Sequence, residues 1–255
     1  MTTNIQVRIL KAICPVAADY PSESFYQGKS KLGIQCGEGF FGRIAGKTVI
    51  DFGCGEGDDA VEIAQSGARR VIGFEIREEL LETARKKALA AGVSETCSFA
   101  SSTEELADIV ISLDAFEHFA DPAEILRIMA ALLRPAGEAF ISFGPPWHHP
   151  LGGHGFSVFP WAHLIFSEKA LMRWRSTFKT DGATRFSEVA GGLNQMTIRR
   201  FLEFVAGSGF ETARLELVPI RKFRLFHNRL TREFTTAAVR CRLVKRTGGP
   251  SRPQA

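Results

Sequence analysis

The 255-residue chain predicts an α/β fold: a doubly wound, mostly parallel sheet with helices on both faces and an antiparallel strand near its C-terminus. Three observations carry this. Between residues 47 and 143, short apolar runs alternate with amphipathic runs of helical period. A glycine-rich turn follows the first apolar run and opens the first helix after it, as in sheets that bind ligands at their strand ends. Beyond residue 197, one helix precedes two strands with no long helix between them, which reads as a closing antiparallel pair.

The elements follow in order. Residues 1–27 read as polar and turn-rich, and 1–46 as an N-terminal extension with a short helix near Lys31–Cys36. Residues 47–143 are the core. Lys47–Phe52 is a strand. Asp58–Ser66 is a helix whose first-turn acids suit its dipole. Val71–Glu75 is a second strand. Arg77–Ala91 is a helix with Leu80, Leu81, Ala84 and Ala88 on one face and Gly92 as its stop. Thr96–Ala100 and Asp108–Leu113 are strands three and four. Asp121 caps the next helix, with Pro122 at its first position, and Arg134–Gly137 ends it before a fifth strand at Glu138–Phe143. Residues 144–196 break the pattern and read as a cap with a short helix near Ser167–Trp174, since so long an irregular segment is usually functional. Residues 197–246 return to the core, with a helix at Thr197–Ala206 and strands at Phe210–Val218 and Phe234–Val244, and 247–255 are a tail.

Composition narrows the function. At 45% hydrophobic and 24% charged, the chain is not a disordered or fibrous polymer. No run of ~18 uncharged apolar residues exists, so a transmembrane helix is not expected, and the N-terminus lacks a signal-peptide pattern. Five scattered cysteines without a C-x-x-C pair fit reduced thiols and a cytoplasmic location. From Arg214 onward, eleven Lys/Arg against two Glu give +9, while the rest carries −5. Interleaved with Phe223, Leu225, Phe226 and Leu230, these cations leave room for peripheral contact with an anionic surface.

The chemistry lies in Val49-Ile-Asp-Phe-Gly-Cys-Gly-Glu-Gly57. Its third glycine comes one residue too early for the dinucleotide fingerprint. Asp51 beside the glycines disfavours an anion and suits an ammonium or sulfonium. This run resembles motif I of the class I S-adenosylmethionine-dependent methyltransferases. Asp108 to Pro122 is similar to that family's fourth-strand motif, and Leu132–Gly137 to the run before its fifth strand. The resemblance covers residues 47–143. It implies a Rossmann-like, seven-stranded sheet, S-adenosylmethionine as cofactor, and a cofactor site of Asp51, Gly53, Cys54, Gly55 and Gly57. It adds Glu75 on the ribose hydroxyls, with Ile76 after it, and Leu113 closing strand four. Where many relatives hold adenine with an Asp, this chain has Ser101 and Ser102.

Methyl transfer to a hydroxyl needs alignment and a base. Five of the six histidines fall between residues 118 and 163, beyond strands four and five. His118 and His154 are the candidate bases; His148 and His149 are candidate substrate contacts. Phe143, Trp147, Phe156, Phe159 and Trp161 read as an apolar wall of the cap. Glu117, His118 and a cap histidine match no known metal-ligand spacing, so no metal is assigned. Gly144-Pro-Pro-Trp147 follows the wrong strand and lacks the Asn/Asp of the amino-methyltransferase motif. The expected acceptor is a small or lipid- or sugar-linked molecule, through oxygen. The alternatives are an RNA or protein methyltransferase, disfavoured by the dispersed basic charge, and a non-catalytic binding subunit, disfavoured by the intact Asp51, glycines and Glu75.

Overall fold

Residues 1–14, 26, 28–189 and 191–247 are described by the computed structural model; most of the 247–255 tail lies outside them. Helices α1 (Thr3–Ile13), α2 (Lys31–Cys36) and α3 (Phe40–Ile44) precede β1 (Thr48–Phe52). The core continues through α4 (Asp58–Gln65), β2 (Arg70–Phe74), α5 (Glu78–Ala90), β3 (Cys97–Ala100) and β4 (Ala107–Leu113). It goes on through α6 (Pro122–Leu132) to β5 (Leu133–Phe143). The cap holds α7 (Ala162–Ile165) and α8 (Glu168–Arg175). The chain returns as α9 (Ile198–Ala206), β6 (Phe210–Pro219), α10 (Arg232–Thr235) and β7 (Thr236–Lys245).

The seven strands form one sheet in the order β3-β2-β1-β4-β5-β7-β6. All neighbours pair in parallel except β7, which is antiparallel to both β5 and β6. The expected fold class is the observed one. Every residue of β1 is buried, because helices cover both faces of a doubly wound sheet. One face packs Phe52, Phe116, Leu126, Met129 and Phe201; the other packs Leu32, Phe40, Ile44, Ile63 and Leu81. The order in which strands are laid down reverses between β1 and β4, opening the crevice where such sheets bind ligands.

Three expectations need correction. The N-terminal stretch read as turns contains α1, whose Val7 and Leu10 join Trp147, Leu171 and Trp174 in a core of the cap. Gln6 accepts from the Ser167 amide at 2.8 Å, and the Trp174 indole donates to the Cys14 carbonyl at 2.9 Å. β5 begins at Leu133, not Glu138: α6 passes straight into a strand that arches at Ala136 (φ 60°) before pairing with β4 in full. Phe143 is not in the cap wall; it packs against Phe201 in the sheet core.

Candidate active site

The β1 strand ends in a loop where Gly53, Gly55 and Gly57 all have positive φ. The amides of Gly53 and Cys54 donate to the Phe74 carbonyl at 2.8 and 3.0 Å, which ties the loop to β2. Gly55 and Gly57 differ in kind. A Cβ on Gly55 would meet nothing within 4 Å, whereas one on Gly57 would lie 2.7 Å from Ala84 Cβ and from the Phe99 ring. Gly57 lets α5 and β3 close on the loop; Gly55 leaves its outer backbone bare for a ligand.

Under this loop lies an acidic cup. Asp51 is buried, and its Oδ2 has no hydrogen-bond partner among the described residues. Burial and the nearby Asp59 push its carboxyl up to about 8, against the pull of Lys31. Lys31 on α2 bridges to Asp59 at 2.8 Å. Burial opposes its charge, but Asp59, Asp114 and Asp51 outweigh that and raise its pKa. Asp114 follows β4 with φ 53°, uncommon outside glycine. It accepts from the Tyr26 hydroxyl, from Gln35 Nε2 at 2.9 Å and from the Ser142 hydroxyl at 3.0 Å. Burial, then Asp114, raise the Tyr26 pKa, so its hydroxyl keeps its proton. Three carboxylates thus share one lysine, an arrangement short of positive charge.

Glu75 is buried just beyond β2. Its Oε1 accepts from the Ile76 and Arg77 amides and from Arg77 Nε; its Oε2 accepts only from Arg77 Nη2 at 3.1 Å. Burial alone would raise this carboxyl, but the Arg77 guanidinium and the two amides hold it below the usual range. Oε2 keeps a lone pair for another donor. Ile76 beside it is exposed, Ser101 and Ser102 are exposed past β3, and Leu113 is buried at the end of β4.

The turn after β4 carries Glu117 and His118. Glu117 Oε1 accepts from the Gly144 amide at 3.1 Å, Oε2 has no partner among the described residues, and burial pushes the carboxyl up to about 7. His118 Nδ1 lies 2.8 Å from the Gly192 carbonyl. A carbonyl only accepts, so Nδ1 carries the proton and Nε2 is left with a lone pair. Asn194 staples the cap to this turn: its Nδ2 donates to the Phe116 and Phe119 carbonyls at 2.9 and 2.8 Å. Between turn and cap lies a cleft of about 310 Å³, lined by His118, Phe119, Glu168, Arg185, Asn194 and Arg200 among others.

The remaining histidines divide. His154 meets His118 edge-on at 5.7 Å, but burial, then His118, press its pKa down to about 4, so it is a poor base near neutrality. His148 stacks on Phe234 and faces Glu233 at 3.7 Å rather than joining His118. His149 Nδ1 accepts from the Leu151 amide in a tight turn. His163 donates from Nε2 to the Trp147 carbonyl at 2.6 Å and accepts from Ser157. Among the described residues, no cluster of three His, Cys, Asp or Glu could hold a metal ion. Tyr26, Lys31, Gln35, Asp114 and Asn194 were not singled out by sequence. Only Asp114 had a signal, lying inside the fourth-strand motif.

A family model described as a methyltransferase domain matches residues 38–215. Residues of this chain are 38% identical over 107 positions to the ubiquinone biosynthesis O-methyltransferase of Aeromonas salmonicida, 40% of this chain and 44% of that protein. The protein of the same name from Serratia proteamaculans is 39% identical over the same length. The chain thus aligns with less than half the length of these curated relatives. In fold, it resembles an S-adenosylmethionine-dependent methyltransferase from Mesorhizobium loti (TM-score 0.53, 18% identity, 79% of this chain and 92% of that one). It also resembles the [4+2]-cyclase SpnF (TM-score 0.54, 15% identity, 80% and 76%).

Proposed function

We propose a reaction on one premise: the chain belongs to the methyltransferase domain family. The reaction is transfer of a methyl group from S-adenosylmethionine to a hydroxyl of a small or lipid-linked acceptor. The observation that carries it is the acidic cup beneath an open Gly55. Asp51, Asp59 and Asp114, offset among the described residues by Lys31 alone, suit the ammonium and sulfonium of that cofactor. Glu75 has an acceptor site left for the ribose, and exposed Ile76 offers an apolar edge for the adenine. When bound, S-adenosylmethionine supplies an electrophilic methyl carbon.

The chain's own residues do the rest. The cleft beside the turn after β4 receives the acceptor. His118, held in one tautomer by the Gly192 carbonyl, takes the hydroxyl proton on Nε2 as the acceptor oxygen gains the methyl group. The Asn194 staple keeps the cap over this site and water out. Oxygen is favoured over nitrogen by the name of the curated relatives and by the His118 imidazole lining the cleft.

Calorimetric titration with S-adenosylmethionine, S-adenosylhomocysteine and NADH tests the first half. The first two bind and NADH does not; Glu75→Ala weakens binding by roughly 1–3 kcal/mol, the worth of charge-assisted hydrogen bonds. Binding of NADH alone overturns the reading. For the second half, a lipid-linked phenol and a methyl-labelled donor serve as probes. His118→Gln lowers kcat about 10²–10⁴-fold while leaving donor affinity unchanged. Unchanged kcat removes His118 as the base.

A further inference from the structure

The connection between β6 and β7 carries a surface that the reaction above does not use. It runs from Ile220 through a short 3-10 turn at Arg221–Phe226 to α10. β7 enters the sheet antiparallel to β5: Phe143 pairs with Val239, and Pro219 of β6 with Thr236. The connection therefore projects from the carboxyl end of the parallel strands, the end that carries the glycine loop and His118.

Its backbone is pinned. The Ile220 amide donates to the Thr235 carbonyl at 2.8 Å, Asn228 Oδ1 accepts from the Leu230 amide at 2.9 Å, and His227 Nδ1 pairs with the Thr235 hydroxyl at 2.9 Å. Glu233 reaches back to the amides of Ile198 and Arg199 at the start of α9. Yet this fixed segment holds Leu225 96% exposed, Leu230 91% and Phe226 66%. Burying such side chains stabilises a fold, so a pinned loop that leaves three outside has given up that gain.

The charges nearby point the same way. Arg221, Lys222, Arg224, Arg229 and Arg232 lie within the segment, and none forms an ion pair with any described residue. Glu233 is the only acid from Leu217 to Thr235, and it is spent on α9 and His148.

We propose that this connection docks the molecule on an anionic bilayer surface. Leu225, Phe226 and Leu230 enter the boundary between headgroups and acyl chains, while the five cations meet lipid phosphates. Unpaired cations around an apolar tip match that one environment. A second copy fits poorly, because a two-fold contact on this patch would oppose ten cations. A nucleic acid would use the arginines but leave the two leucines in water. Docked this way, the acceptor end of the sheet lies near the bilayer. Docking through this surface does not depend on the proposed methyl transfer.

Co-sedimentation of the full chain with sucrose-loaded vesicles tests it. Vesicles with about a third phosphatidylglycerol in phosphatidylcholine carry the protein down; pure phosphatidylcholine does not, and added salt releases it. L225S/L230S abolishes the binding. R221E/R224E/R229E weakens it more than about 100-fold, at about fivefold for each cation lost. Because Leu225 is 96% exposed, L225S alone keeps the thermal midpoint and still loses most of the binding. Failure to bind phosphatidylglycerol vesicles at low salt overturns the proposal, as does binding that neither variant reduces. A dimer that L225S/L230S dissolves also overturns it, by assigning the face to a second copy.

Discussion

At the scale of single residues, the glycines of the β1 loop separate folding from binding. Gly55 and Gly57 both have positive φ, so a side chain at either costs about 1–2 kcal/mol in backbone strain. They part at the next atom. The Cβ of Gly55→Val enters open space, so that variant folds, loses no more than the strain, and loses S-adenosylmethionine binding. The Cβ of Gly57→Val drives into Ala84 and Phe99, adding about 1–3 kcal/mol of overpacking to the strain. Urea denaturation of both variants, followed by calorimetry, reads the two effects apart. A Gly55→Val protein that binds as well as the parent would mean the ligand passes elsewhere.

At the scale of elements, Asn194 is the side chain that ties the cap to the turn after β4. Asn194→Ala strips hydrogen bonds from the Phe116 and Phe119 carbonyls, a cost of about 1–3 kcal/mol. The loss falls where cap meets turn, so limited proteolysis speeds within the cap and the KM for acceptor rises, while donor affinity holds. An unchanged proteolytic pattern would assign the cap's seating to its apolar core instead. The same elements show what sequence makes legible. The strands and helices of residues 47–143 announce themselves through local periodicity, and the glycine loop through its spacing. The cap does not, because its apolar residues face α1, more than a hundred positions away in the chain. The acidic cup was half visible for the same reason. Asp51 stands in a local pattern, whereas Tyr26, Lys31 and Gln35 reach Asp114 and Asp59 only once the N-terminal segment folds over the strand ends.

At the scale of the whole molecule, buried titratable groups set the pH at which the fold is most stable. Asp51 and Glu117 have folded pKa values of about 8 and about 7, above their unfolded 3.8 and 4.5. Their contribution is full below the unfolded values and is lost as pH rises through 7 to 8. His149 and His154 go the other way, from 6.5 unfolded to about 4 folded, so stability is lost as pH falls below 6.5. Between about pH 4.5 and 6.5 unfolding takes up protons on these histidines and on His163, which burial also holds below its ordinary value, and releases protons from the two carboxylates, so the slopes oppose each other. Above about pH 6.5 only the carboxylates act, and thermal midpoints fall toward pH 8. Asp51→Asn flattens part of that fall. A cation bound in the cup lowers the pKa of Asp51, so S-adenosylmethionine binding releases protons and tightens as pH rises from about 6 to 8, by at most tenfold per unit for one proton. Calorimetry in buffers of differing ionisation enthalpy counts those protons. No proton release at pH 7 would mean that Asp51 is already ionised in the free protein, and that the cup is less starved of positive charge than its three carboxylates and single lysine imply.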